Sequence, residues 1–440
     1  MADYNLIVIG GGPGGYEAAA IAASQGKKVA LIERDKLGGT CLNRGCIPTK
    51  CLCASAERLY EILNSTEFGI ECQVKADYAV AVARSSEVVS SLRGDVESLL
   101  SNVNVIKGEA CLGPELTVSV SGEEYHADEI IVATGSKPKH LPIPGAELAI
   151  DSDKFLQLAQ LPENVVIIGG GVIGLEFASI IAAYGKYVTV VEFMPEILPG
   201  FDSEIAKRLR NYLSRRGVKF ILNARCTSIS KTATGFSLSY QGKKGEANID
   251  AELIVSATGR QAVIPEGLEN AGVKVNSRGF IEVDDEYRTS ADGIYAIGDV
   301  NGKCMLAHAA SAQARVVTGA TRHINAIPAV VFTLPECAST GINVDSAEGL
   351  KAAKVPYSAN AKALASGNAQ GMIKLVYDIS DGRIVGCQAV GAHAGDIIAE
   401  ATIAIDAGYT VRTLAEDTVS AHPSISELLT VAAATALSCK

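Results

Sequence analysis

The sequence predicts an α/β protein: two Rossmann-like domains, each a three-layer ββα unit, followed by an α+β domain. Three features of the 440 residues carry that expectation. A glycine-rich strand–turn–helix–strand pattern occurs twice at one fixed offset. Each copy is later followed by an apolar run that ends in Ala-Thr-Gly. From about Ala329 the texture changes to alternating segments and Ala-rich helical stretches. The chain also exceeds the roughly 250–300 residues at which one hydrophobic core stops growing, so several domains are expected.

The first copy reads Leu6-Ile-Val-Ile-Gly10-Gly-Gly12-Pro-Gly-Gly15, an Ala-rich stretch to Gln25-Gly26, then Lys28-Val-Ala-Leu-Ile-Glu33. Short apolar runs bounded by glycine read as strands of a buried parallel sheet, and the stretch between them as the crossover helix. The second copy reads Val165-Val-Ile-Ile-Gly169-Gly-Gly171-Val172-Ile173-Gly174, a run to Tyr184-Gly185, then Tyr187-Val-Thr-Val-Val-Glu192. Gly10 and Gly169, Gly12 and Gly171, Gly15 and Gly174, and Glu33 and Glu192 all lie 159 residues apart. The runs ending at Thr134-Gly135 and Thr258-Gly259 read as returning strands whose C-terminal ends face a ligand, and Pro138–Pro144 as a domain crossing. Gly293–Asp299 places Asp299 at a strand end, and Met372–Tyr377 and Ile384–Val390 read as strands before helices at Gly395–Ala407 and Ser424–Ala436. The resulting division is 1–143, 144–265, 266–328 and 329–440.

One such glycine motif is weak evidence; two, each between strand and helix and each followed by an acid, are specific. The first glycine permits the tight turn, the second lets backbone approach a pyrophosphate, and the third lets helix pack on strand. The helix N-terminus offers free N–H groups and partial positive charge to the phosphates. Glu33 and Glu192 stand where a carboxylate accepts from a ribose, so two dinucleotides are expected, one per domain. Glu192 would repel a 2′-phosphate, and Phe193-Met-Pro-Glu196 offers no cation to receive one, so the second is expected to be NAD.

The formal charge of −10 argues against a nucleic-acid or anionic-membrane binder. No apolar run approaches about 18 residues, so no membrane span is expected, and no secretory signal is visible, which points to the cytoplasm. The cysteines number eleven, scattered from Cys41 to Cys439, unlike the framework of a small secreted domain. In Gly38-Gly39-Thr40-Cys41-Leu-Asn-Arg-Gly-Cys46-Ile-Pro-Thr-Lys50 the pair Cys41/Cys46 can be read as two buried thiols, half of a metal site, or a redox pair. The spacing disfavours metal, which would want Cys-x-x-Cys. On an unbroken helix, residues five apart lie about 8.7 Å apart at Cα, beyond the roughly 7 Å that a disulfide spans. A bridge therefore requires a distorted or non-helical first part, which Gly45 and the Gly38-Gly39 approach can supply.

Gly38–Lys50, both nucleotide motifs, Gly298-Asp299, Phe332-Thr-Leu-Pro-Glu336 and Ala421-His422-Pro423-Ser-Ile-Ser-Glu427 together resemble the pyridine nucleotide–disulfide oxidoreductases, across essentially the whole chain and in the family's order. The resemblance implies an FAD domain, an NAD domain, a central domain packed with the first, and a C-terminal dimerisation domain. It assigns FAD contacts to Gly10, Gly12, Gly15, Glu33, Arg34, Gly39, Thr40, Lys50, Ala110, Thr134, Gly135, Ser136, Asp299, Leu306 and Ala307. It assigns NAD contacts to Gly169, Gly171, Val172, Ile173, Gly174, Glu192 and Gly259. It implies a redox disulfide in which Cys41 meets a lipoyl dithiol and Cys46 lies against the flavin. His422 would act as base, oriented by Glu427 and reaching the partner subunit of a homodimer, with Lys50 and Glu176 paired near the flavin. The lipoyl groups would be carried by lipoyl domains or a lipoyl-carrier protein of 2-oxoacid dehydrogenase or glycine-cleavage complexes. Ser420 stands where the family often has a second histidine. Glutathione-reductase-like chemistry would want basic residues after the second ribose strand, and mercuric-reductase-like chemistry a vicinal cysteine pair near the C-terminus. No metal is expected.

Overall fold

The computed structural model describes residues 2–321 and 324–438, so Cys439 lies outside the described residues. In chain order the first unit comprises β1 (Tyr4–Ile9), α1 (Pro13–Ser24), β2 (Val29–Glu33), α2 (Gly39–Arg44), α3 (Cys46–Leu63), α4 (Tyr78–Leu99), β3 (Asn104–Lys107), β4 (Ala110–Leu112), β5 (Thr117–Val120) and β6 (Glu123–Val132). β3, β2, β1 and the C-terminal half of β6 form a parallel sheet, with Leu6 opposite Val29 and Ile9 opposite Val132. The N-terminal half of β6 instead pairs antiparallel with β5, and β5 with β4. Alternation along β1 makes the layers. Leu6 and Val8 pack with Ala18, Ala19 and Ala22 of α1, while Ile7 and Ile9 pack with Ala110, Leu112, Val118 and Val120 of the meander.

Two short strands carry the chain between units: β7 (Ser136–Pro138) pairs antiparallel with β15 (Arg260–Ala262), Ser136 opposite Ala262. Between them lies the second unit: α5 (Ser152–Phe155), β8 (Asn164–Ile168), α6 (Val172–Ala183), β9 (Tyr187–Val191), α7 (Ser203–Arg215), β10 (Val218–Ile221), β11 (Arg225–Lys231), β12 (Phe236–Gly242), β13 (Gly245–Ala251) and β14 (Leu253–Ser256). Its parallel sheet runs β10-β9-β8-β14 and its meander β11-β12-β13. The layering repeats: Val165 and Ile167 face the helices, and Val166 and Ile168 face Ile229, Leu238 and Ala251.

β16 (Ile294–Ala296) then returns to pair in parallel with β6, and α8 (Ala307–Val317) packs on α1, so part of segment 266–328 extends the first unit's sheet. The last unit comprises β17 (Ala329–Val331), β18 (Glu336–Gly341), β19 (Leu350–Pro356), α9 (Ala361–Ala365), β20 (Gly371–Asp378), β21 (Ile384–Gly391), α10 (Ala394–Asp406), α11 (Val411–Glu416) and α12 (Glu427–Ser438). Its antiparallel sheet is ordered β17-β18-β21-β20-β19. Val331, Cys337, Met372 and Val390 share a core with α3 and the second unit's helices, which ties the three units together. The helix expected from Ser424 starts three residues later, because the Ser424 amide donates to the Glu427 carboxylate in a turn at the cis peptide His422–Pro423.

Candidate active site

The two glycine turns are near-copies in atomic detail. At Gly10 (φ +106°) and Gly169 (φ +111°) a Cβ would lie 2.4 Å from Ala133 O and 2.5 Å from Ala257 O. At Gly15 and Gly174 it would overlap the carbonyls of Gly10 and Gly169. Any side chain at these four positions would push helix from strand. Gly12 and Gly171 differ: a Cβ on Gly171 would meet nothing within 4 Å, and one on Gly12 only Gly39 Cα at 3.9 Å. Open space at the head of α1 and of α6 is what a phosphate needs, and neither helix has a side-chain cap. Both cradles fit a dinucleotide.

The acids are set alike. Glu33 accepts from Gly11 N (2.7 Å) and Asp35 N (2.8 Å), and Glu192 from Gly170 N (2.5 Å) and Met194 N (2.7 Å). Each carboxylate is pinned beside its turn. Val172 and Ile173 open α6 under Gly171, and Gly259 takes φ +105° after the returning strand. Arg34 pairs at the surface with Glu109 (2.8 Å), and Ala110 is buried in β4.

Gly39 brings the cysteine segment to the first cradle: its Cβ would come 2.6 Å from Gly12 Cα, and Gly38 N donates to Gly11 O (2.8 Å). The helix expected to be broken near Gly45 is broken there. α2 ends at Arg44, Gly45 adopts φ −142°, ψ −113°, and Cys46 is the first residue of the 18-residue α3. A side chain at Gly45 would press on Thr40 O (2.8 Å). The break sets Cys41 and Cys46 close together, both as free cysteines. Cys46 is drawn down to about 7, first by the Cys41 hydrogen bond and, against the cost of burial, by the Lys50 ammonium. Its place at the uncapped N-terminus of α3 works the same way. Cys41, which donates that bond, is pushed up.

Lys50 reaches across from α3 to α6, with Nζ 2.9 and 3.0 Å from the two Glu176 oxygens, although the residues are 126 apart in sequence. Burial opposes the charge on Lys50, but Glu176 outweighs it and holds the ammonium above its ordinary value. Glu176 also accepts from Phe332 N (2.9 Å), and the Phe332 ring lies 4.6 Å from the ammonium. Thus the Phe332–Glu336 motif lays the last unit against this pair, further fastened by Leu334 N to Ser179 Oγ (3.0 Å).

At the crossing, Ser136 Oγ donates to Asp299 Oδ2 (2.5 Å) and Thr134 Oγ1 to Val263 O (2.6 Å), while Gly135 takes φ +69°. Leu306 and Ala307 open α8, and Gln313 from that helix accepts from Gly298 N (2.8 Å), fixing the turn that bears Asp299. His308 Nε2 lies 2.6 Å from Pro328 O, a structural contact. Sequence pattern did not single out Arg260, Gln313 or the ring of Phe332. Arg260, directly after Thr258-Gly259, stood beside a motif that could have pointed to it, and Phe332 opened a quoted motif that did not reveal the role of its ring.

His422 and Glu427 form a dyad, Nδ1 to Oε1 2.9 Å. Glu427 is held below its usual range by the Ser424 amide first and by His422 second. The His422 side chain is 74% exposed, and within this chain no hydrogen bond joins it to either cysteine among the described residues. No group of three or more His, Cys, Asp or Glu side chains could hold a metal ion among the described residues, and no helix there could cross a membrane.

Paired cradles, a cysteine pair set together at a helix break and a Lys–Glu pair beside it define a flavin-linked disulfide oxidoreductase. Residues 4–314 match the pyridine nucleotide-disulphide oxidoreductase family and residues 327–433 its dimerisation domain, and the chain belongs to that family. It is an FAD-dependent oxidoreductase that uses FAD and NAD(H), and its dimerisation domain supports a homodimer. Among named relatives, the dihydrolipoyl dehydrogenase of Geobacillus stearothermophilus is 40% identical over 454 residues, 99% of this chain and 96% of that one. That of Thermus scotoductus is 39% identical over 449 residues, covering 98% and 97%. Among solved structures, the HOCl-induced flavoprotein disulfide reductase RclA from Escherichia coli superposes with a TM-score of 0.87 at 30% identity, over 98% of this chain and 99% of that one.

Proposed function

We propose that this protein is a dihydrolipoamide dehydrogenase, which oxidises protein-bound dihydrolipoamide to lipoamide and reduces NAD⁺ to NADH. The observation that carries the reading is the break at Gly45, which sets Cys41 against Cys46 at the head of α3. The dihydrolipoyl dehydrogenase relatives at 39–40% identity support the choice of substrate.

FAD, when bound, supplies the carrier that moves an electron pair between the dithiol and the nicotinamide. Gly10, Gly12, Gly15, Glu33, Gly39, Thr40, Ser136 and Asp299 would hold it, and Gly169, Gly171, Gly174, Glu192 and Gly259 would hold NAD. Cys41 is the sulfur for a substrate thiolate to attack, and Cys46 the leaving thiolate, because the helix terminus and Lys50 favour its charge. The attacking thiol must lose a proton. His422 is built to accept it, since Glu427 occupies Nδ1, leaves Nε2 free and steadies the imidazolium that forms. Its exposure fits a role across the dimer, where His422 of one protomer would serve the cysteine pair of its partner. The same reading assigns 1–143 to FAD, 144–265 to NAD, 266–328 to a central domain and 329–440 to the dimer interface. It places the protein in the cytoplasm with lipoyl domains or a lipoyl-carrier protein as partners.

The test is a substrate panel with purified protein. Dihydrolipoamide with NAD⁺ is expected to turn over at least about a hundredfold faster, as kcat/KM, than glutathione disulfide or mercuric ion with NADH or NADPH. Preference for either of the latter would replace the reading with glutathione- or mercuric-reductase-like activity.

A further inference from the structure

Helix α2, which carries Cys41 in its first turn, is held at both ends by residues from the other side of the domain crossing. Arg260, the first residue of β15, donates through Nε to Ser136 Oγ (2.7 Å) and through Nη2 to Ser136 O (2.8 Å), and Nη2 also reaches Thr40 Oγ1 (3.4 Å). Ser136 passes the tie on to Asp299. At the other end, Arg44 Nε lies 3.8 Å from Asp153 Oδ2 while Arg44 Nη2 holds Asp35 at 2.9 Å. The Asp153 carboxyl is raised by burial, against the pull of Arg260 first and Arg44 later, so it stands between the guanidiniums that bracket α2.

A six-residue helix followed by a glycine break has almost no rigidity of its own. Yet a redox disulfide demands that Cys41 Sγ stay within bonding reach of Cys46 Sγ. α3 is anchored by its length and its buried Leu52 and Ala56, so Cys46 is fixed. Cys41 depends on what fastens α2. A planar guanidinium can bond a hydroxyl, a carbonyl and a threonine at once, a fork that an ammonium cannot reproduce.

We propose that Arg260 is a positioning residue for the redox pair, holding the first turn of α2 through Thr40 and Ser136 so that Cys41 stays against Cys46. The claim concerns the cysteine pair that every disulfide substrate of the family would use, and it stands whether or not dihydrolipoamide is the substrate.

The test uses the FAD-loaded dimer titrated anaerobically with dithionite to two electrons per subunit, so that the dithiol forms while the flavin stays oxidised, with no nicotinamide present, and follows against pH the long-wavelength absorbance of a thiolate beside flavin. Within one chain the charged and titratable groups facing the pair are Tyr16 of α1, Lys50 of α3 and Glu176 of α6; in the dimer of the proposed reading His422 of the other protomer joins them, and all remain in each variant. Loss of the Cys41 hydrogen bond raises the thiolate midpoint. Arg260→Met is therefore expected to move it up by about one pH unit, which at pH 7 cuts the thiolate population about fivefold. Thr40→Val should shift it in the same direction by less, and the double variant should match Arg260→Met, since both cut one tie. Arg260→Lys, which keeps the charge but not the fork, should show an intermediate shift per bound flavin, with flavin content measured first, and decides the matter if Arg260→Met fails to fold. A wild-type midpoint in Arg260→Lys, additive shifts, or a change confined to the KM for NADH would overturn the proposal.

Discussion

Glu192→Ala offers a sharp quantitative test of the second cradle. Glu192 is 7% exposed, its oxygens held by Gly170 N and Met194 N, so the carboxylate stands beside the turn before any nucleotide arrives. Its remaining lone pairs would accept from the ribose hydroxyls of NAD. A hydrogen bond to a charged acceptor contributes about 1.5–3 kcal/mol. Water entering the space left by the side chain recovers part of that, and a net loss of about 2.7 kcal/mol is a hundredfold in kcat/KM for NAD⁺. NADP⁺ has no such bond to lose and gains relief from like-charge repulsion at its 2′-phosphate. The ratio of kcat/KM for NAD⁺ to that for NADP⁺ should therefore fall at least about a hundredfold, measured at saturating dithiol on FAD-loaded protein. Glu33→Ala, the equivalent change 159 residues earlier, should instead weaken FAD retention. An unmoved ratio in folded Glu192→Ala would remove Glu192 from the ribose site and with it the argument for NAD.

Cys46→Ser should abolish dihydrolipoamide-dependent NADH formation while FAD stays bound; full turnover would refute the relay. His422→Gln should slow reduction by the dithiol at least about a hundredfold more than flavin reduction by NADH, measured by stopped flow, and equal slowing of both halves would make His422 structural. Glu176→Gln leaves the Lys50 ammonium facing a neutral amide. Breaking a buried pair costs about 3–5 kcal/mol, which the 31% exposure of the Lys50 side chain reduces to about 2 kcal/mol. Urea unfolding checks it, and a loss below about 0.5 kcal/mol would show that water replaces the partner. Because Cys46 titrates below an ordinary thiol, the thiolate absorbance of the two-electron-reduced protein should grow as pH rises through about 7 and fade below it. A midpoint near 8.5–9 would mean that the Cys41 hydrogen bond is absent.

What the chain itself determined is everything whose cause is local. Gly10, Gly12 and Gly15 are demanded by a tight turn, a phosphate and a helix crossing within six residues, and the same causes recur at Gly169, Gly171 and Gly174. The apolar runs of β1 and β8 announced strands buried on both faces, as the cores on their two sides show. That a bridge between Cys41 and Cys46 needs a distorted helix followed from helix geometry. Tertiary structure decided the rest, because a charge is tuned by neighbours that sequence distance conceals. Lys50 meets Glu176 and Phe332 only once α3, α6 and the start of the last unit pack together. Arg260 finds Thr40 only because β15 pairs with β7, and Gln313 finds Gly298 only through the seating of α8. Cys46 becomes the head of a helix, and so a favourable place for negative charge, through the placement of Gly45 against Thr40. Local sterics are written residue by residue; electrostatics depends on distance in space, and folding alone sets that distance.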